Sequence, residues 1–229
     1  MTGLHAFLHW IAGAALVYWM CSRPHASLTD RFKLVVLGGI AGLSPDGTKF
    51  FGDILGHSVL AVPVFGLLPA LVCSAFIQGA SFKKSWLVFS LGVSSHLFID
   101  WIGNGAALLY PIIEQEYEFS LVDGSGEIIV LVLLLIALIP AVLRPSSRRL
   151  LPAGILAAAL YLGFLSYSKI QLEHALFRQY QREEMNLLLT YPNNRQWEFM
   201  VRTKDASITG HSPYWGTDLT VDSQYYFRP

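Results

Sequence analysis

"SSHLFIDWIGNG", residues 94–105, is the stretch on which the reading of this chain turns. It lies inside an apolar run, residues 86–110, that is long enough for a bilayer span, since about 20 residues cross the hydrocarbon core. Within it His96, Asp100 and Asn104 recur every fourth residue. That spacing sets an imidazole, a carboxylate and an amide on one face of a helix. A charged side chain near the bilayer centre costs about 2.5–3.5 kcal/mol on insertion scales, so this face must turn away from lipid and into a helical bundle.

Composition agrees with a membrane setting. Of the 229 residues, 53% are hydrophobic and 14% charged, against about 25% charged in soluble domains; mean hydropathy is +0.46. Formal net charge is zero, and no nucleic-acid partner is expected. Cys21 and Cys73 are far apart and form no CxxC or zinc-finger spacing, so cysteine gives no redox or metal motif. The N-terminal segment has neither a basic leader nor a small-residue cleavage pattern before "CSRPH" (21–25) and reads as a retained helix.

Apolar segments fall at residues 4–20, 34–44, 59–78, 86–110, 128–143 and 151–167. The third and fourth have the length of spans, while the second reaches it only by extending back through residues 27–33 or by packing as a broken helix. Charges alternate between them. The first loop carries Arg23, Arg31 and Lys33; the third Lys83 and Lys84; the fifth Arg144, Arg148 and Arg149. The second holds Asp46 and Asp53 against Lys49, and the fourth holds Glu114, Glu116, Glu118, Asp123 and Glu127 with no Lys or Arg. Positive loops mark the cytoplasmic side, so both termini are expected outside the cytoplasm. The expected fold is an all-α polytopic membrane protein with about six transmembrane helices (residues 1–167) and a small C-terminal extramembrane α+β appendage (168–229). In the appendage, residues 168–190 read as an amphipathic helix stopped by "YPNN" (191–194), before aromatic and β-branched stretches that read as strands.

Several other polar groups are predicted to meet the opening stripe. "HAFLHW" (5–10) puts His5 and His9 on one helix face; "LSPDG" (43–47) leaves Asp46 at the exit of the second segment; "GHSVL" (56–60) opens the third with His57 and Ser58. Under the alternating topology His5, His9, Asp46, His57, His96 and Asp100 all approach the outer half of one bundle. Imidazole and carboxylate are the ligands preferred by zinc and other divalent transition metals, and facing helices are how bundles build such sites. Each residue alone also has a plain reading, as an interhelical hydrogen-bonder, an interfacial side chain or turn chemistry; their convergence on one side is the case for a site. "GHSVL" and "GHSPY" (210–214) each lack the closing glycine of a nucleophile elbow, and neither stands in its strand–turn–helix setting. No P-loop, dinucleotide fingerprint or HExxH is present.

The ordered set Pro45–Asp46, His57–Ser58, Ser95–His96 and Asp100, with Tyr110–Pro111 behind it, resembles the YdjM-like family of inner-membrane proteins, described as metal-dependent hydrolases. The likeness covers residues 1–112. It implies Asp46, His57, His96 and Asp100 as metal-site residues, with His5 or His9 as the N-terminal histidine. Thr48 stands where many members carry a second acidic residue, and Gly52–Asp53 where many carry His–Arg, which leaves His5, His9 or Asp53 to complete a second metal position. Together the residues and the resemblance lead to an expected membrane-embedded hydrolase of the plasma (inner) membrane. It would hold a divalent metal, zinc or alternatively manganese, on His57, His96, Asp46 and Asp100, with His5 and His9 as further ligands. Asp100 and Asp46 would be its catalytic carboxylates, with Ser58 and Asn104 holding the ligands in place. Its partners would be membrane lipid and a small, lipid-like ester or phosphoester. The competing expectations are an ion-coupled transporter or channel using His96–Asp100 as a proton relay, and a non-enzymatic membrane scaffold.

Overall fold

The computed structural model describes residues 3–51, 54–77, 79–181 and 184–227; Gly52 and Asp53 lie outside them. The described chain runs α1 (Gly3–Cys21), α2 (Leu28–Leu43), 3-10 turns at Ser44–Phe51 and Leu55–His57, α3 (Val62–Phe76), α4 (Phe82–Gly103), α5 (Gly124–Leu143), a 3-10 turn at Pro145–Arg149 and α6 (Leu150–Tyr180). Four strands follow: β1 (Leu187–Asn193), β2 (Gln196–Arg202), β3 (Ala206–Pro213) and β4 (Thr220–Tyr226). The chain divides into two compact units. One comprises residues 1–119 and 127–158, the other residues 120–126 and 159–229.

Among the described residues, four stretches are long and apolar enough to cross a membrane: Gly3–Cys21, Phe82–Gly103, Gly124–Leu143 and Pro145–Tyr180. The second apolar segment does extend backwards, because Ser27 caps α2 by accepting the Asp30 amide at 3.1 Å. Even so α2 has 16 residues and α3 has 15, about 24 and 22 Å at 1.5 Å per residue, short of a hydrocarbon core of about 30 Å. The expectation that residues 59–78 form a full-length span is therefore corrected. Ser58–Ala61 is spent on a turn, where Ala61 N–H donates to the Ser58 carbonyl at 3.1 Å, and the helix stops at Phe76.

In the first unit α1, α2 and α4 pack closely, and small residues allow it. Gly38 and Gly42 lie one turn apart on α2 against Gly13 on α1. A Cβ on Gly38 would come within 2.8 Å of the Gly13 carbonyl oxygen. Such small-residue stripes let membrane helices approach backbone to backbone. The consequence reaches the site: the last turn of α2 is pressed against His9, whose carbonyl faces Gly42. Helix α4 ends earlier than residue 110. Gly105 takes φ +89°, and the amides of Asn104 and Gly105 both donate to the Asp100 carbonyl at 2.8 and 2.7 Å. This left-handed glycine closure places Asp100 in the final turn of α4.

The second unit is built on an antiparallel meander in the order β1-β2-β3-β4. The expected amphipathic helix to residue 190 is corrected: α6 ends at Tyr180, and Leu187–Asn193 pairs with β2. "YPNN" does carry turn chemistry, but it closes a hairpin instead of stopping a helix. Asn194 and Arg195 take φ of +49° and +65°, as a two-residue hairpin loop with left-handed central residues requires. Trp197, Phe199 and Val201 alternate inward along β2. Trp197 Nε1 donates to Ser168 Oγ at 2.8 Å, and buried Lys169 Nζ donates to the Thr190 carbonyl at 3.0 Å.

Candidate metal centre

Helices α1 and α5 begin, and α2 and α4 end, at the same extremity of the helical unit. From them come His5 and His9 (first turns of α1), Asp46 (after α2), His57 (before α3), His96 and Asp100 (last turns of α4) and Glu127 (first turn of α5). The four histidines, Asp100 and Glu127 are buried, and Asp46 is half-buried. His5, His9, Asp46, His57, His96 and Asp100, all expected from the sequence as ligands, are therefore brought to one place, while Asp53 lies outside the described residues.

Asp100 is the hub, and its two oxygens face different histidines. Oδ1 lies 2.9 Å from His5 Nε2 and 3.1 Å from His9 Nε2. Oδ2 lies 3.2 Å from both His57 Nε2 and His96 Nε2. Asp46 Oδ1 stands 3.5 Å from His57 Nε2 and 3.7 Å from His96 Nε2, with Lys49 Nζ 3.0 Å away on its other side. The His9 and His96 rings stack at 3.8 Å between centroids.

Two main- and side-chain acceptors fix the tautomers. His96 Nδ1 contacts the Gly42 carbonyl oxygen at 2.8 Å; a carbonyl only accepts, so Nδ1 carries the proton. His5 Nδ1 donates to the Glu127 carboxylate at 2.5 Å. A neutral imidazole with a donating Nδ1 presents a lone pair at Nε2. On both rings Nε2 faces an oxygen of Asp100, and on His96 also His57 Nε2, 3.2 Å away. Atoms so placed are held together by a proton or a cation between them. Further atoms repeat the pattern: His9 Nδ1 and Nε2 and both Asp46 oxygens are buried without an aligned hydrogen bond among the described residues.

The donor set fits a divalent cation. Ligand atoms bound at about 2.0–2.2 Å in a tetrahedron stand about 3.3–3.6 Å apart. His57 Nε2, His96 Nε2 and Asp100 Oδ2 stand 3.2 Å from one another, and Asp46 Oδ1 lies 3.5 and 3.7 Å from the two imidazole nitrogens. His5, His9 and Asp100 form another triad of donor atoms that lie within 4.8 Å of one another. An acceptor behind a ligating imidazole, as Gly42 and Glu127 provide here, is the usual companion of metal-binding histidines.

Outside the spanning helices the electrostatics are asymmetric. Burial works against ionising Asp46, yet the His57 and His96 imidazoles and the Lys49 ammonium beside it hold its carboxyl below the usual carboxylate range. Burial likewise opposes charging His57, but the Asp100 and Asp46 carboxylates prevail and push its imidazole up.

Of the expected helpers, Asn104 is in place, its Nδ2 donating to His5 Nε2 at 3.0 Å. Ser58 is used locally: its hydroxyl accepts the Leu60 amide at 3.2 Å in the turn before α3, while Val59 N–H ties this turn to the Leu108 carbonyl at 3.0 Å. Ser212 lies within β3, and its hydroxyl donates to the Gly216 carbonyl. The sequence reading missed Glu127, counted there only as loop charge, and Gly42. A carboxylate at the head of a wholly apolar span was the available signal for the first; nothing in sequence marks a carbonyl oxygen.

The description "YdjM inner membrane protein" matches residues 4–172, and the chain belongs to that family. No curated protein and no solved structure matches it.

Proposed function

We propose that this member of the YdjM inner membrane protein family is a metal-dependent hydrolase, acting at the outer leaflet on an amphiphilic ester or phosphoester. The observation that supports this reading is the convergence of four imidazole Nε2 atoms, on His5, His9, His57 and His96, on one buried carboxylate. A divalent cation held there, zinc or manganese, would supply Lewis acidity and a bound water with a pKa near 7. His57, His96, Asp46 and Asp100 are the residues that would hold it, and His5 with His9 and the other oxygen of Asp100 would hold a second. Asp46, half-buried and paired with Lys49, is the carboxylate placed to take a proton from the attacking water. Asp100 orients four imidazoles at once and serves as ligand and positioning carboxylate. Basic residues at the opposite end of the bundle support an outward-facing cluster by the positive-inside rule.

The test is metal content. Purified protein should carry one to two equivalents of zinc or manganese, and His57→Ala and His96→Ala should each remove most of it. Protein free of metal, or with metal indifferent to both substitutions, overturns the reading. The competing relay reading draws on the same unbroken His–Asp contacts. Proton-coupled flux in proteoliposomes that disappears in Asp100→Asn, without bound metal, would select it.

A further inference from the structure

The opposite end of the helical unit holds a cavity that the metal cluster does not use. It measures about 880 Å³ and lies among the α1–α2 loop, the α3–α4 loop and the turn after α5. That is the size of a small-molecule pocket. Its charged lining is Arg23, Lys84 and Arg148 against Asp30, with His25 beside them. Asp30 is already engaged, by the Ser27 hydroxyl at 2.9 Å and by Lys33 at 3.4 Å. Both guanidiniums are set by the fold: Arg148 donates to the Trp19 carbonyl at 2.8 Å, and Arg23 to the Gly79 carbonyl. Helix α4 starts at this cavity, and its cap, Ser81, makes no side-chain hydrogen bond to the first turn. The positive end of the helix therefore adds to the cationic field.

A groove of about 550 Å³ adjoins it between α2 and α3, lined by Phe32, Val36, Leu37, Val72 and Phe76; Ile77 borders both spaces. Phe76 is 68% exposed and Val36 47%. A cationic pocket bordering an apolar furrow at Ile77 is complementary to a molecule with an anionic head and a hydrocarbon chain. A free anion would leave the furrow unused, and a zwitterionic head would set its own cation against three others.

We propose that cavity and groove bind one anionic glycerophospholipid, its phosphate among Arg23, Lys84 and Arg148 and one acyl chain along the α2–α3 groove. Basic pockets between membrane helices hold lipid headgroups in this manner. The site is separate from the metal cluster, and its test does not depend on the metal reading.

The test is native mass spectrometry of protein released from nanodiscs of equimolar phosphatidylglycerol and phosphatidylcholine. Unaltered protein should retain phosphatidylglycerol at least about tenfold over phosphatidylcholine, given about a kcal/mol per cationic side chain. The combined variant Arg23→Gln/Lys84→Gln/Arg148→Gln should bring the ratio close to one. Val36→Trp, which fills the groove from its bilayer face, should reduce phosphatidylglycerol retention with the basic residues intact. Helix content and monodispersity are checked for each variant. Lys84→Gln alone, at an exposed side chain, gives a smaller drop if the combined variant misfolds. Equal retention of both lipids by unaltered protein, or an unchanged ratio in the lysine and arginine variants, overturns the proposal. Displacement of phosphatidylglycerol by millimolar inorganic phosphate together with indifference to Val36→Trp would assign the cavity to a free anion and overturn it equally.

Discussion

Asp100 divides its two oxygens between two pairs of imidazoles, His5 with His9 and His57 with His96. Its spacing from His96 was legible in sequence, since i, i+4 on a helix is a contact by geometry alone. That His5 and His57 meet the same carboxylate follows from packing, which no local pattern encodes. Glu127 is the clearest case: it is 122 residues from His5, whose Nδ1 it accepts from. Removing its charge tests the site from outside the ligand set. Glu127→Gln should weaken metal affinity by about 10–100-fold, the usual cost of losing the partner behind a ligating histidine. Titration with a competing chelator reads this directly, and unchanged affinity would detach Glu127 from the centre. Asn104→Ala should have the smaller effect, because the amide meets His5 on the same nitrogen that faces Asp100.

At the scale of elements, periodicity and hydropathy located all six helices, but their ends were set by features that hydropathy does not see. Gly105 closed α4 seven residues before the apolar run ended, and the turn at Ser58–Ala61 shortened α3. In the second unit, leucines at residues 187–189 fitted a helix as well as a strand. Pairing with β2 across the Asn194–Arg195 hairpin decided it, as tertiary context decides most short apolar stretches. The α1–α2 contact makes its own prediction. Gly38→Leu places side-chain atoms where the Gly13 carbonyl and Val17 Cβ already stand, 2.8 Å from a Cβ. Overpacking of this kind costs about 1–3 kcal/mol, and because it pushes the last turn of α2 away from α1, metal content should fall with thermal stability. Gly163→Ala in α6, where a Cβ meets nothing within 4 Å, should leave both intact or raise stability slightly. Equal behaviour of the two variants in a detergent thermal-shift assay would show that the close approach is not what holds the helices.

For the whole molecule the ordering of charge along the chain is the strongest remaining constraint. Lys83 and Lys84 lie in the first turn of α4, and Glu114, Glu116 and Glu118 in the loop that follows its other end. A cysteine introduced at Lys84 should react with a membrane-impermeant maleimide only in inverted vesicles, and one at Glu116 only in intact cells after outer-membrane permeabilisation. A reporter fused after residue 229 should be active outside the cytoplasm. A cytoplasmic reporter signal would reverse the assignment of the metal cluster to the outer side, and with it the leaflet from which a substrate enters.

The two tautomer-fixing contacts differ in a way that bears on how such a centre can change over generations. His96 is held by a main-chain oxygen, that of Gly42, where any side chain would collide with the His9 carbonyl. His5 is held by a side chain, that of Glu127, which one nucleotide change can remove. One half of the cluster is therefore tied to the packing of α1 on α2, while the other half can be tuned at a single side chain. Divergence in metal preference or reactivity among descendants of this chain would begin at His5.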